Sequence, residues 1–255
     1  MKKALSVLSY NIHKGFGVAK LRFLLPQMKE AIQSLAPDFV FLQEVQGRHD
    51  KQQQKISDWP DASQFDFIAE DTWSHTAYGK NAIYQAGHHG NAILSKYPLS
   101  SHENINVSTL PRASRSLLHG VINIGFIEIH LICVHLGLFK EERLKQVATL
   151  TDRIIEFVPM DSPLILAGDF NDWRQDLSDC LERRLGLKEA FKEMDGKHAK
   201  SFPALSPALQ TDRIYFRGLT LMNAQCFKGK PWRTLSDHLP IHATFMLEGC
   251  DADLK

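Results

Sequence analysis

Cysteine is scarce: of 255 residues only Cys133, Cys180, Cys226 and Cys250 carry a thiol, and no two form a C-x-x-C pair. That excludes a zinc knuckle and a thioredoxin-like redox pair, and a reducing compartment is expected. No apolar run approaches the roughly 18 residues that a membrane-spanning helix needs. Charge of one sign is also lacking, with 30 Lys plus Arg against 29 Asp plus Glu and a net charge of +1. A protein that coats long stretches of duplex carries a large positive excess, so that class is disfavoured and a local basic patch stays open. Glycine (15) and proline (11) keep to globular proportions, which excludes collagen and low-complexity chains. Met1-Lys2-Lys3 has the charge of a signal-peptide start, but Ser6 and Ser9 break the apolar segment behind it and Asn11, His13 and Lys14 follow. A cytoplasmic location is expected.

What is present is a succession of short apolar runs separated by amphipathic stretches. Leu5 to Ile12 reads as a first strand, and Leu21, Leu24, Leu25, Met28, Ile32 and Leu35 recur at helical spacing up to Pro37. Phe39-Val40-Phe41-Leu42 is apolar without alternation, as a strand covered on both faces is, and ends at Gln43-Glu44. From Gly47 to Gly90 the signal is weak: Phe65 to Ala69 reads as a strand-like piece and Gly87-His88-His89-Gly90 as a loop. Strands are expected at Ala92 to Leu94, Ile105 to Val107, Leu117 to Ile124 and Phe126 to Val134, the last two joined at Gly125. A second helix follows on Leu144, Val147, Leu150, Ile154 and Val158, then a buried strand at Pro163 to Ala167 and a third helix near Leu177 to Arg184. Strands at Arg213 to Phe216, Leu219 to Cys226 and Ile241 to Leu247 close the chain. Length alone leaves one or two domains open. With no repeat or linker in sight, the expectation is one domain over 1–255 with sheets packed between helices.

The ionisable and amide residues carry the functional signal. Asn11, Glu44, His135, Asp169, Asn171, Asp212, Asp237 and His238 all stand at or just past the end of an apolar run. Strand ends collect along one edge of a sheet, where active sites are commonly built. A turn or capping role is the commoner fate of any one such Asp, but eight in the same context reduce its weight. Glu44, Asp169, Asp237 and the Asn11 amide offer only oxygen ligands, a set suited to Mg²⁺ or Mn²⁺ rather than zinc. H-E-x-x-H, a P-loop, G-x-S-x-G and a complete G-x-G-x-x-G are absent, Gly15-Phe16-Gly17 lacking the third glycine.

Taken in order, Ser9-Tyr10-Asn11-Ile12-His13, Phe41-Leu42-Gln43-Glu44-Val45, Gly90-Asn91-Ala92-Ile93-Leu94-Ser95, Val134-His135-Leu136, Gly168-Asp169-Phe170-Asn171, Asp212-Arg213-Ile214 and Ser236-Asp237-His238-Leu239-Pro240 resemble the signature of the endonuclease/exonuclease/phosphatase superfamily. That family includes pancreatic-type deoxyribonuclease, exonuclease III-like enzymes, neutral sphingomyelinases and inositol-polyphosphate 5-phosphatases. The resemblance spans nearly the whole chain. It implies an α/β fold, a four-layer α/β sandwich of the deoxyribonuclease I type, with two mixed β-sheets face to face and helices outside. It further implies Glu44 as principal metal ligand with Asn11 and Asp237 beside it, and Asp169 and Asn171 as the pair that handles the attacking water and the phosphate. His238 resembles the histidine on the scissile phosphate, with Asp212 holding its ring, and His135 a second histidine that assists the leaving group. Arg115 is a candidate phosphate contact, and Asn91 a support of the site.

The expected activity is Mg²⁺- or Mn²⁺-dependent hydrolysis of a phosphodiester by in-line attack of water, with no covalent intermediate. The substrate is nucleic acid or a lipid or small-molecule phosphodiester, undecided between them, and a monomer is expected. The alternative is an inactive family member kept as a binding module. His13, His88, His89 and His242 read as loop or surface histidines. Trp59, Trp73, Trp173 and Trp232 read as packing residues, Trp173 being the best placed for a cleft.

Overall fold

A strand apolar on both faces needs cover on both sides, and the core is divided accordingly. The computed structural model describes residues 2–18, 22–109 and 114–249; Met1, Leu21 and Cys250 of the sequence reading lie outside them. In chain order the elements are β1 (Lys3–Asn11), α1 (Leu25–Leu35), β2 (Phe39–His49), α2 (Asp50–Gln53), α3 (Gln64–Ala69), β3 (His75–Tyr84), β4 (Gly87–Ser95), β5 (Leu99–Asn106), β6 (Ser116–Ile124), β7 (Ile127–His135), α4 (Lys140–Phe157), β8 (Leu164–Asp169), α5 (Ser178–Leu185), β9 (Lys188–Glu189), α6 (Ala190–Asp195), β10 (Asp212–Arg217), β11 (Thr220–Cys226), α7 (Trp232–Leu235) and β12 (Ile241–Leu247).

Among the described residues the strands form two six-stranded sheets, ordered β11-β12-β1-β2-β4-β3 and β5-β6-β7-β8-β10-β9. Each sheet is antiparallel except at its centre, where β1 pairs parallel with β2 and β7 with β8. Parallel neighbours need a crossover, and α1 and α4 supply it. Leu5, Val7, Phe39, Phe41, Leu131 and Ile165 point between the sheets into one buried cluster. On the opposite face Leu8, Tyr10, Val40 and Leu42 pack on Leu25, Met28 and Ile32 of α1. Ile132, Val134, Leu164 and Leu166 pack on Val147, Leu150 and Ile154 of α4. Three apolar seams therefore separate four layers, helix, sheet, sheet and helix, as expected.

Two local readings are corrected. Phe65 to Ala69 lies in helix α3, because Ser63 caps its start by accepting the Asp66 N–H at 3.1 Å. Gly87 to Gly90 is the first part of β4, paired to β2 and β3, and a Cβ at Gly90 would collide with the Gly79 carbonyl. Glycine permits that close approach, so it marks a strand here and not a loop. Trp59, Trp73 and Trp232 are buried, whereas Trp173 is 37% exposed. Cys133, Cys180 and Cys226 form no disulfide. No helix among the described residues is long and apolar enough to cross a membrane.

Candidate active site

Side chains alternate along a strand, so a residue's face is fixed by counting from the core. Beyond the inward-facing Phe41, Ile93, Cys133, Ala167 and Ile214, the next positions of the same parity are Gln43, Asn91, His135, Asp169 and Asp212. On β1 the same count passes Ser9 and reaches Asn11. All six are buried. Of the parallel strands β1, β7 and β8 end at this edge, and the antiparallel β10 and β12 begin there, so one mouth of the inter-sheet space is lined by polar groups. Strand register sets the spacing: His135 stands beside Asp169, Asp169 beside Asp212, and Asn11 beside Gln43.

Glu44 arrives by a different device. Between the pairs Leu42–Ala92 and Val45–Gly90, β2 carries one residue more than β4, and Glu44 adopts φ 56°. This bulge keeps Leu42 and Val45 in the same outer cluster and turns the Glu44 carboxylate out of the alternation. The strand does not end at Glu44, as its sequence suggested, but continues to His49. Gly168 is also required by geometry: at φ 148° it lies against the Val134 carbonyl, with no room for a Cβ.

Asp169 is the hub. Its Oδ2 accepts the Asn11 Nδ2–H at 3.2 Å and lies 3.5 Å from His135 Nε2 and 3.7 Å from His238 Nε2. Its Oδ1 accepts the Asn171 N–H at 3.0 Å, while Asn171 Nδ2 donates to the Leu136 carbonyl at 3.0 Å. Burial pushes the Asp169 carboxyl up to about 7, against the opposing pull of His238 and the bonds from Asn171 and Asn11. Asp212 holds His238 through Oδ2 and Nδ1 at 3.0 Å, and the same oxygen accepts the hydroxyls of Thr211, at 2.9 Å, and Ser201. Burial disfavours the His238 cation, but the carboxylates of Asp212, Asp169 and Asp237 override it and raise the ring to about 10. Burial likewise works against the Asp212 anion, which His238 and the two hydroxyls nevertheless hold below the usual carboxylate range. His135 behaves oppositely: burial, reinforced by Arg115, drives it far below the normal imidazole range, so the ring is neutral.

Glu44 faces Lys14, whose Nζ lies 3.2 Å from Oε2. Burial opposes its ionisation, yet the positive field of Lys14, joined by that of His13, holds its carboxyl below the usual carboxylate range. Asp237 Oδ1 lies 3.4 Å from His13 Nδ1, and the His13 N–H donates to Asn11 Oδ1 at 3.1 Å. Arg115 is half-buried, and its charge reaches His135 and His89. Asn91 donates to the Ser116 carbonyl at 3.1 Å and so ties β4 to β6 across the sheets. It sits within a strand and not in a turn.

The fold thus brings Asn11, Glu44, His135, Asp169, Asn171, Asp212, Asp237 and His238 to or beside one mouth, with Arg115 near enough for its charge to reach His135. Sequence reasoning missed Lys14, Ser201, Thr211 and Ser236, whose Oγ donates to the Asn11 carbonyl at 2.8 Å. It also read His13 as a loop or surface histidine; His13 does lie in the turn after β1, but it is buried at 8% exposure. The available signal was adjacency to Asn11; the left-handed backbone of His13 and Lys14 that turns them inward, φ 47° and 58°, has no sequence mark.

The sequence pattern of the Endonuclease/Exonuclease/phosphatase family matches residues 8–238, and the chain belongs to that family. Among individual relatives, it is 41% identical over 243 residues to the uncharacterized protein YbhP of Escherichia coli strain K12, spanning 94% of this chain and 96% of YbhP. The fold is similar to that of an endonuclease/exonuclease/phosphatase from Beutenbergia cavernae DSM 12333, with TM-score 0.79 and 20% identity over 98% of this chain and 73% of that one. It is also similar to D. rerio TDP2, solved in complex with a single strand DNA product, with TM-score 0.70 and 20% identity over 95% of this chain and 99% of that one.

Proposed function

We propose that the protein is a divalent-metal-dependent phosphodiesterase that hydrolyses its substrate by direct in-line attack of water. The observation that carries this reading is the convergence on Asp169 of Asn11, Asn171, His135 and the Asp212-held His238.

Glu44, Asn11 and Asp237 fit a hard cation: their donors are all oxygen, and the Glu44 carboxylate stays ionised because positive groups surround it. Asp169, Asp212 and His238 also bring ligand atoms within 4.8 Å of one another. Asp212 Oδ2 and His238 Nδ1 are already bonded to each other, and Thr211 and Ser201 also donate to that oxygen, so the trio suits a hydrogen-bonded relay better than an ion. A Mg²⁺ or Mn²⁺ ion on Glu44, Asn11 and Asp237 supplies neutralisation of a non-bridging phosphoryl oxygen.

The chain's own residues supply the rest. Asp169, with a proton affinity near neutrality, takes the proton of the attacking water, a match that favours general-base catalysis. Asn171 fixes the carboxylate through its backbone N–H, and its side-chain amide, anchored on the Leu136 carbonyl, keeps its second N–H for the phosphate. His238, kept cationic and oriented by Asp212, presents Nε2–H to the oxygen on which charge develops. His135, being neutral, acts as a hydrogen-bond donor at the leaving-group side and not as a charged acid. Arg115 adds positive charge for the phosphate.

The test is hydrolysis of bis-p-nitrophenyl phosphate with Mn²⁺, compared with Glu44→Ala and His238→Ala. Each variant is expected to lose roughly a hundredfold or more in rate. Absence of activity with every divalent metal would favour the alternative, a family member retained as a binding module.

A further inference from the structure

Past Glu44, β2 runs on as Val45–His49 and pairs with the β3–β4 hairpin, Gln46 opposite His89 and His49 opposite Gly87. This ribbon borders a groove of about 400 Å³ lined by Lys14, Phe16, Gln46, His49, Gln52, Tyr84 and His89. Its volume is in the range of small-molecule sites. Aromatic rings make the walls: His49 and Tyr84 lie 5.5 Å apart between centroids, Tyr84 and His89 5.9 Å. Phe23 backs Phe16 and stacks on Trp59 at 4.9 Å, and Trp59 meets His49 at 6.1 Å. Gln46 is 4% exposed; its Nε2–H donates to the Tyr84 hydroxyl oxygen at 3.2 Å, and its Oε1 has no hydrogen-bond partner among the described residues. At one end stands Lys14, whose ammonium contacts Glu44.

We propose that this groove is a subsite for the planar base of a nucleotide whose phosphodiester lies on the Glu44–Asp169–His238 centre, so that the substrate is a nucleic acid or nucleotide ester and not a phospholipid. The inference rests on the phosphoesterase reading of that centre. Flat rings beside a buried, unused amide acceptor fit a heteroaromatic ring that carries N–H donors, with stacking as the main contact. A choline or ethanolamine headgroup would meet the Lys14 cation. The phosphate of a nucleotide, by contrast, meets Lys14 with opposite charge.

The experiment measures kcat/KM with Mn²⁺ for thymidine 5′-(p-nitrophenyl phosphate) and for methyl p-nitrophenyl phosphate, which share a leaving group and differ in the base. The wild type is expected to prefer the thymidine ester. Tyr84→Ala should cut that preference roughly 5- to 150-fold, the range of one lost base stack, and Tyr84→Phe, which keeps the ring, should retain most of it. Equal loss on both esters in Tyr84→Ala would overturn the subsite. So would hydrolysis of phosphatidylcholine vesicles that falls in Tyr84→Ala while the thymidine preference stands. Calorimetric binding of thymidine 5′-monophosphate separates the two readings. If neither ester is cleaved with any metal, the phosphoesterase reading fails; weaker nucleotide binding by Tyr84→Ala would still uphold the groove, and unchanged binding would overturn it.

Discussion

Replacing Asp212 by asparagine changes one atom's charge and little volume, and the structure says why it should be costly. Oδ2 of Asp212 accepts from His238 at 3.0 Å, from Thr211 at 2.9 Å and from Ser201, while Oδ1 is buried without a partner among the described residues. An amide nitrogen in the Oδ2 position would face three donors. In the Oδ1 position it would bury two N–H groups with nothing to accept them, at about 1–3 kcal/mol. In either orientation the His238 cation loses its nearest carboxylate, and breaking a buried pair from one side costs about 3–5 kcal/mol. For a chain of this size each kcal/mol moves Tm by about 2–4 °C, so Asp212→Asn should melt roughly 6–20 °C below wild type near neutral pH. The sign of the pH dependence follows. A ring raised above its ordinary ~6.5 stabilises the fold fully below that pH and loses the effect as pH rises. In the wild type the loss extends up to about 10. In Asp212→Asn it should be complete at lower pH, and kcat/KM should fall with it on the alkaline side. Thermal melts and pH–rate profiles of both proteins provide the assay. A Tm within 2 °C of wild type, with an unshifted alkaline limb, would refute the argument that Asp212 holds the charge on His238.

Other outcomes follow from the same geometry. Saturating Mn²⁺ should raise the wild-type Tm, by about 2.7 kcal/mol of stability at a hundredfold excess over Kd, and leave Glu44→Gln nearly unmoved; an equal rise in both would remove Glu44 from the metal site. Lys14→Ala deprives the Glu44 carboxylate of the ammonium 3.2 Å away, so without metal its Tm should fall, while Mn²⁺, no longer competing with that ammonium, should bind roughly 5-fold more tightly by calorimetry, about 1 kcal/mol. His119 is lowered by burial, with help from His130 and Arg153, to about 4. Below its ordinary ~6.5 the unfolded ring takes up a proton that the folded one refuses, so stability should decline as pH falls from ~6.5 to about 4, and His119→Gln should flatten that slope in acid melts. Leu131→Ala empties part of the fully buried inter-sheet seam and should cost about 2–5 kcal/mol in denaturant titrations without changing the metal requirement.

Much of this molecule was legible in the chain because strands are read two residues at a time. Once Cys133, Ala167 and Ile214 are inward, His135, Asp169 and Asp212 must be inward as well, whatever the rest of the fold does. The helices on Met28 and Ile32 and on Val147, Leu150 and Ile154 were equally plain, since one apolar stripe per helix has one place to go. Where the local signal was short, competing interactions decided: a capping serine made Phe65 to Ala69 a helix, and pairing on both sides made Gly87 to Gly90 a strand.

The sequence by itself settled that polar residues follow the apolar runs of β1, β7 and β8, and therefore what chemistry one edge would hold. Tertiary structure alone decided that the two sheets present those edges to the same mouth, that a bulge turns Glu44 toward Lys14, and that Ser201 and Thr211 converge on Asp212. Parity and periodicity are properties of neighbours along the chain, whereas an ion pair or a shared oxygen depends on where distant segments meet. That meeting is set by how the three apolar seams close, which no short stretch of sequence records.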